Sequence, residues 1–498
     1  MLTKKQKIAQ CFSPAAFVHD SEENHQKLER LIREEGIGSL TFFHSRHSAV
    51  ANFESRAEVL DYSGTLEKLV SLINRFQGAS KIPLLICIDA EYGLAMRIEK
   101  TPQYPFAITL GALQQDAEKW VEEVGYRMGM DLKRSGIHLN FAPCADVNTN
   151  PNNPVIGYRS FGDNPKKVSR LAIANYKGMK KAGIGACFKH FPGHGDTEVD
   201  SHLGLPVLHK SLGELESEEL LPFQDGIDQG IELIMVGHLA VPALSGGREV
   251  PASISKEIIT DFLKGKMGFK GLVVSDALNM KAVANYFPEP GDLEWRAFQA
   301  GNDLLCFSDH VKEGIEKIAE KASEEEVEVV FQKVMDLKKQ LGVLEFNPVS
   351  YPEFDWSAHS QLQKDLAKNY VSILSGKLKI EELRQLSRDG KMAIQEYFKD
   401  EKSRFSELLK FDFVSIDQAK LVLVTLFVPS HKPLNQFGMQ ESVLEEIKSL
   451  ARRKSCILIH FGNPLALKHL GELSNFESVV CAYQNFDETQ EVVAGLFV

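Results

Sequence analysis

Between residues 9 and 307 the chain alternates short apolar runs with polar loops and amphipathic stretches. The runs are 9–17, 37–43, 83–88, 137–142, 184–188, 232–236, 271–275 and 303–307. Near-continuous apolar strands alternating with helices form a parallel sheet buried on both faces. Eight such units point to an α/β fold, a (β/α)8 TIM-type barrel, whose usual length is about 250 residues. Pro14 lies in the first run and weakens that strand, because proline cannot donate to a ladder.

Such a barrel carries its chemistry at the carboxyl ends of its strands. The polar residues following the runs are Asp89 and Glu91, then Asp146, Lys189 and His190, His238, and Asp276. The pattern aims them at one shared opening. Ser323 and Glu326 then form a capping box, and Val327, Val330, Phe331, Val334 and Leu341 follow a helical stripe that Gly342 stops. These signals give a barrel over 1–342, a linker over 343–356 and a smaller α/β sandwich over 357–498. Strands are expected in the sandwich at 420–428, 456–461 and 478–483. The sequence carries no internal repeat, low-complexity tract or Walker-type phosphate loop.

The densest chemistry lies in residues 189–202, Lys-His-Phe-Pro-Gly-His-Gly-Asp-Thr-Glu-Val-Asp-Ser-His. Pro192, Gly193 and Gly195 oppose a helix there, so its acids and imidazoles are expected on a loop suited to proton transfer. Asp200 and His202 are two apart and share a face in extended backbone. Asp200 can then hold one imidazole nitrogen and leave the other to move a proton, although from the residues alone a plain structural hydrogen bond in a loop is the favoured reading. His194 and Asp196 take no assigned role beyond shaping the turn.

Asp276 ends the strand Gly271-Leu-Val-Val-Ser. A carboxylate there can attack an anomeric carbon, or cap the helix that follows, and position alone does not separate these readings. Arg159 is the strong cation of the polar loop 148–162 and suits hydroxyls or a carbonyl. Asp89 can accept two sugar hydroxyls. His238 either donates to substrate or closes the barrel rim. His190, His194, Asp196, Asp200 and His202 are possible metal ligands, but no HExxH or cysteine pattern accompanies them; no metal or cofactor is expected.

The net charge of −11 argues against nucleic acid and anionic membranes as partners. The seven scattered cysteines lack CxxC spacing and read as small buried hydrophobes in a reducing compartment. No apolar run is long enough to span a bilayer or act as a secretory signal, which favours the cytoplasm. A monomer or weak dimer is expected.

The stretch Lys189-His-Phe-Pro-Gly-His-Gly-Asp-Thr, continuing through Asp200-Ser-His-Leu-Gly-Leu-Pro206, resembles family 3 glycoside hydrolases, in their β-N-acetylglucosaminidase branch. Ser275-Asp-Ala-Leu278, Asp89-Ala-Glu-Tyr-Gly93 and Asn153-Pro154 through Arg159 resemble other segments of that family. Weaker likeness continues at Phe461-Gly-Asn-Pro464 and Ala482-Tyr483.

The resemblance implies Asp276 as nucleophile, His202 as acid/base and Asp200 as its polarising partner. It implies that Asp89, Arg159, Lys189 and His190 grip the non-reducing sugar, and that this sugar is N-acetylglucosamine, from peptidoglycan or chitin fragments. The chain departs from the family at Glu91-Tyr-Gly-Leu-Ala95, where many relatives carry Glu-Gly-Gly-Arg-Val; here Arg97 comes later. Relatives with a full second domain run on beyond Ala494-Gly-Leu-Phe497, so a missing or rearranged last strand is expected. An imidazole acid/base does not repel phosphate as a carboxylate does, so phosphorolysis is a variant of the implied hydrolysis. A β-glucosidase and a non-catalytic sugar-binding scaffold on the same barrel are the alternatives.

Overall fold

The computed structural model describes residues 2–45, 64–197 and 204–497. Asp200 and His202 lie outside the described residues. The chain divides into two compact units: residues 1–104, 118–150 and 160–354, and residues 105–117, 151–159 and 355–498. Two segments from the first half of the sequence therefore fold with its last third.

In the first unit Pro14 splits the first run into β1 (Phe12–Ser13) and β2 (Ala15–His19). The strands that follow are β3 (Ser39–Ser45), β4 (Leu85–Ile88), β5 (Leu139–Asn140), β6 (Gly185–Ala186) and β7 (Phe188–Phe191). The set ends with β8 (Leu233–Val236), β9 (Leu272–Ser275) and β10 (Leu305–Cys306). Parallel pairing runs β2-β3-β4-β5-β6, β7-β8-β9 and β1-β10.

Backbone bonds join the groups: Cys187 N to Ala142 O at 2.8 Å, Ser275 N to Leu304 O at 3.0 Å and Phe307 N to Ser13 O at 2.9 Å. With residues 12–19 and 185–191 counted as one stave each, eight staves close among the described residues. This is the expected barrel. Proline accounts for the break in the first stave: β1 pairs toward β10, and Pro14 contributes only its carbonyl, to Thr41 N.

Alternate strand residues fill the barrel. Leu85 and Cys87, Leu233 and Met235, and Leu272 and Val274 share one core with Cys187, Cys306 and Phe141. The helix Glu324–Gln340 starts on the expected Ser323–Glu326 box and adds Val334 and Leu337 to that core. Its fully buried Lys338 donates to Pro83 O (2.9 Å) and Gln10 Oε1 (2.7 Å), at the ends where strands begin. The opposite, carboxyl ends are left for chemistry.

The second unit is a sheet of β11 (Ser372–Gly376), β12 (Met392–Tyr397), β13 (Leu421–Phe427), β14 (Ser455–Phe461) and β15 (Ser478–Cys481). Their order is β11-β15-β14-β13-β12, parallel except for edge strand β11. Val422, Val424 and Leu426 enter one core with the helix Glu441–Arg453. Leu421, Leu423 and Phe427 enter another with the helix Asp487–Gly495. A sheet buried on both faces explains why β13 reads as unbroken apolar sequence. All seven cysteines are buried.

Candidate active site

Lys189 and His190 lie within β7, not on the loop after it. The β7–β8 register shifts between Phe188 and Phe191. Such an irregularity re-aims side chains, and here both polar groups find partners at the strand ends.

Lys189 Nζ lies 2.6 Å from Asp89 Oδ1 and 2.6 Å from Glu91 Oε1. Arg97 donates from Nη2 to Asp89 Oδ2 and from Nε to the Asp89 carbonyl, both at 3.0 Å. Two cations thus neutralise two carboxylates where β4 ends. The side chains of Lys189, Glu91 and Arg97 are nearly buried, while that of Asp89 is 22% exposed and is the opening of the cluster. Arg97 also lies 5.4 Å over the Phe43 ring.

Asp146 organises the next strand end and is fully buried. Its Oδ1 accepts from His194 N at 2.7 Å and His190 N at 3.1 Å. Its Oδ2 accepts from His190 Nδ1 at 2.7 Å and Cys144 Sγ at 3.0 Å. Burial alone would raise this carboxyl, but the His190 charge and hydrogen bond outweigh it and hold the group well below the usual carboxylate range. The bond to Nδ1 fixes the His190 ring. Atoms of Cys144, Asp146 and His190 lie within 4.8 Å of one another, a spacing a metal could use. The thiol and imidazole already point their donors at Asp146, so metal binding would have to break both bonds.

The turn 193–197 is pressed onto residues 146–150. A Cβ at Gly195 would fall 1.7 Å from Val147 O, so only glycine fits. Asn150 Nδ2 donates to Thr197 O at 3.4 Å. His194 is buried, with Nδ1 2.6 Å from Thr197 Oγ1; burial, then repulsion from His190, push its pKa down to about 4. Asp196 pairs with Lys210 at 3.0 Å, and Lys210 also holds Glu218 at 2.7 Å and Glu219 at 2.5 Å. Both residues left without a role in the sequence reading therefore build the turn that precedes Asp200.

Asp276 follows β9 and is half-buried. Its Oδ1 accepts from Ala277 N at 2.8 Å. The next helix begins at Lys281 with Met280 in the capping position, so Asp276 does not cap it. Asp276 shares one electrostatic neighbourhood with the other strand ends. It acts on His194 together with His190 and Asp146, and on Cys306 together with Asp89 and Lys189. Burial first, opposed by the Thr41 hydrogen bond and reinforced by these carboxylates, pushes the Cys306 thiol up to about 12.

His238 is fully buried; Nδ1 lies 2.6 Å from Ser253 Oγ and Nε2 2.8 Å from Ala277 O. A carbonyl only accepts, so Nε2 carries the proton, and the ring braces the residue after Asp276.

Arg159 falls in the second unit, on the turn Gly157–Arg159. Its Nη1 donates to Val155 O at 3.2 Å, and Asn153 Oδ1 accepts from Val155 N and Ile156 N at 2.9 and 2.8 Å. Glu91 and Asp146 were expected at the shared opening but given no role, and Arg97 was noted only as a departure from the family pattern. Glu91 and Asp146 carried a signal, an acid just past a strand; Arg97 carried none beyond its displaced position.

Residues 3–337 match the family model for the glycosyl hydrolase family 3 N-terminal domain. Beta-hexosaminidase A of Pseudoalteromonas piscicida is 35% identical over 291 residues, which are 56% of this chain and 47% of that protein. The chain thus spans about half the length of that curated relative. A beta-hexosaminidase of Neisseria gonorrhoeae is 36% identical over 249 residues, 48% of this chain and 67% of that one. A solved glycoside hydrolase family 3 beta-N-acetylglucosaminidase from Paenibacillus sp. str. FPU-7 shares the fold with a TM-score of 0.79 at 24% identity, over 100% of this chain and 97% of that chain. Among the described residues no helix is long and apolar enough to cross a membrane.

Proposed function

The chain belongs to glycosyl hydrolase family 3, and from that premise we propose that it removes terminal, non-reducing β-linked N-acetylglucosamine with retention of configuration. The observation that carries this reading is the convergence of Asp89, Glu91, Lys189, Asp146, His190 and Asp276 at the carboxyl ends of the barrel strands. The beta-hexosaminidases and the beta-N-acetylglucosaminidase to which the chain is similar support the N-acetylated sugar.

In the first step the Asp276 carboxylate attacks the anomeric carbon while His202 gives a proton to the leaving oxygen. In the second, His202 takes a proton from water, and the water displaces Asp276 from the sugar. Asp200 is assigned as the polarising partner that stabilises the charged form of His202. Asp89, Lys189, His190 and Arg159 hold the sugar. Lys189 bridges Asp89 and Glu91, which fixes the Asp89 carboxyl in place as a hydroxyl acceptor. Asp146 orients His190, and His238 acts through Ala277 on the position of Asp276. The substrates are fragments of peptidoglycan or chitin.

A panel of aryl glycosides tests this reading. β-N-acetylglucosaminides should exceed β-glucosides in kcat/KM by more than about a hundredfold. The product should be free sugar, with or without phosphate in the buffer. Preference for glucosides would make the chain a β-glucosidase, a sugar 1-phosphate product would make it a phosphorylase, and no turnover would favour a binding scaffold.

A further inference from the structure

The carboxyl edge of the second unit's sheet is occupied by protein. Gln484, after β15, is 4% exposed, and its Oε1 accepts from Phe106 N at 3.1 Å and from Thr109 Oγ1 at 2.8 Å. Asn463, after β14, donates from Nδ2 to His431 O at 2.8 Å, and its own carbonyl lies 3.0 Å from His460 Nε2. The His431 ring stands 4.4 Å from Phe106 and 5.5 Å from Tyr158, and Phe106 stands 4.8 Å from Tyr158. Lys468 donates to Asn152 Oδ1 at 2.5 Å. Asn369 accepts from Gln114 N at 2.8 Å and Gln115 N at 3.0 Å, and donates to Gln115 O at 2.8 Å. Every one of these contacts joins residues 355–497 to segment 105–117 or 151–159, or braces a residue that does. Tyr158 immediately precedes Arg159.

We infer that residues 355–497 serve the reaction as the scaffold of the arginine loop, with Gln484, Asn463, His431 and Lys468 as positioning residues that set Arg159. This rests on the sugar-binding reading of Arg159. The partners are neutral amides, imidazole and aromatic rings, or one exposed lysine, which suits holding backbone in place and offers little for bond cleavage. A short turn such as 157–159 has no regular ladder of its own, so its order depends on side chains that satisfy its neighbours. Gln484 is the strongest link, since one buried oxygen satisfies two donors and its loss would orphan both.

The test uses the full chain with Gln484→Leu, which keeps the side-chain volume and removes the acceptor, beside Arg159→Ala. Amides in 105–117 and 151–159 should exchange with deuterium about tenfold faster in Gln484→Leu, while those of β13 and β14 are unchanged. KM for an aryl β-N-acetylglucosaminide should rise about tenfold, with kcat within about twofold. Lys468→Met, at the solvent-facing side, should give the same pattern at about twofold and carries the test if Gln484→Leu does not fold.

Unchanged exchange in both segments overturns the scaffold. Faster exchange with an unchanged KM, when Arg159→Ala raises KM, overturns its link to binding. If Arg159→Ala itself leaves KM unchanged, the sugar-binding reading of Arg159 has failed instead, and the exchange result alone decides the scaffold.

Discussion

At the carboxyl ends of the barrel strands most polar side chains are acids and bases that bind one another: Lys189 with Asp89 and Glu91, Asp146 with His190. At the same ends of the second unit's strands they are amides and imidazoles, and they bind loop backbone: Gln484 with Phe106 N, Asn463 with His431 O. Both sheets are parallel apart from the edge strand β11, covered on both faces and apolar within. The difference lies in which groups sit at the strand tips. Mutually paired charges give a preorganised site that can exchange a partner for a substrate hydroxyl. Neutral amides give fixed hydrogen bonds at little desolvation cost, which suits a scaffold.

The largest effect that sharpens this contrast belongs to Asp276. Asp276→Ala should lower kcat by about 10^4-fold or more and leave the melting temperature within about 2 °C, because the half-buried side chain follows β9 at a strand tip and fills no part of the apolar core. A comparable loss of kcat in Gln484→Leu would erase the distinction between the two sheets.

Lys189→Met should come next. It leaves Asp89 and Glu91 without the ammonium between them, and removing one partner of a buried charge cluster costs about 3–5 kcal/mol. Urea denaturation measures it. By contrast, Lys468→Met removes an exposed contact and should cost under about 1 kcal/mol. Equal costs would mean that the barrel cluster is far more hydrated than its burial implies.

Between these lies a pH effect. His194 is held neutral in the folded protein, with a pKa near 4 against a usual value of 6.5. The unfolded chain therefore binds a proton that the folded chain refuses as pH falls from 6.5 to 4. Stability is lost across that window, on the order of 3 kcal/mol for a shift of this size. Asp146 acts in the same direction further down: its contribution is present above its unfolded pKa, about 3.9, and is lost as pH falls toward its depressed folded value. His460 in the second unit is also pushed down to about 4 by burial. His194→Gln should therefore flatten only part of the slope between pH 7 and 4.5, and a slope left untouched would show that His194 is protonated in the folded state.

The barrel was legible in the sequence because burial on both faces leaves strands such as 233–236 with nothing but apolar residues. β12 escaped because Gln395 and Glu396 break its run, and β11 because only Ile373 and Leu374 are apolar in an edge strand. Asp89, Lys189, His190 and Asp276 were legible as polar groups beside strand ends. The membership of 105–117 and 151–159 in the second unit was not, since it depends on Gln484, Asn463 and Lys468, more than 300 residues away. Nor was the hub at Asp146, whose bonds to His190 and His194 depend on the chain path through 190–194.

The central claim is that Asp276 forms the covalent bond to the sugar. Incubation with an activated 2-deoxy-2-fluoro glycoside, followed by peptide mass spectrometry, tests it most directly. The account predicts one added glycosyl group on the peptide containing Asp276, absent in Asp276→Ala. A label on any other residue, or an Asp276→Ala variant that keeps its activity, would contradict it.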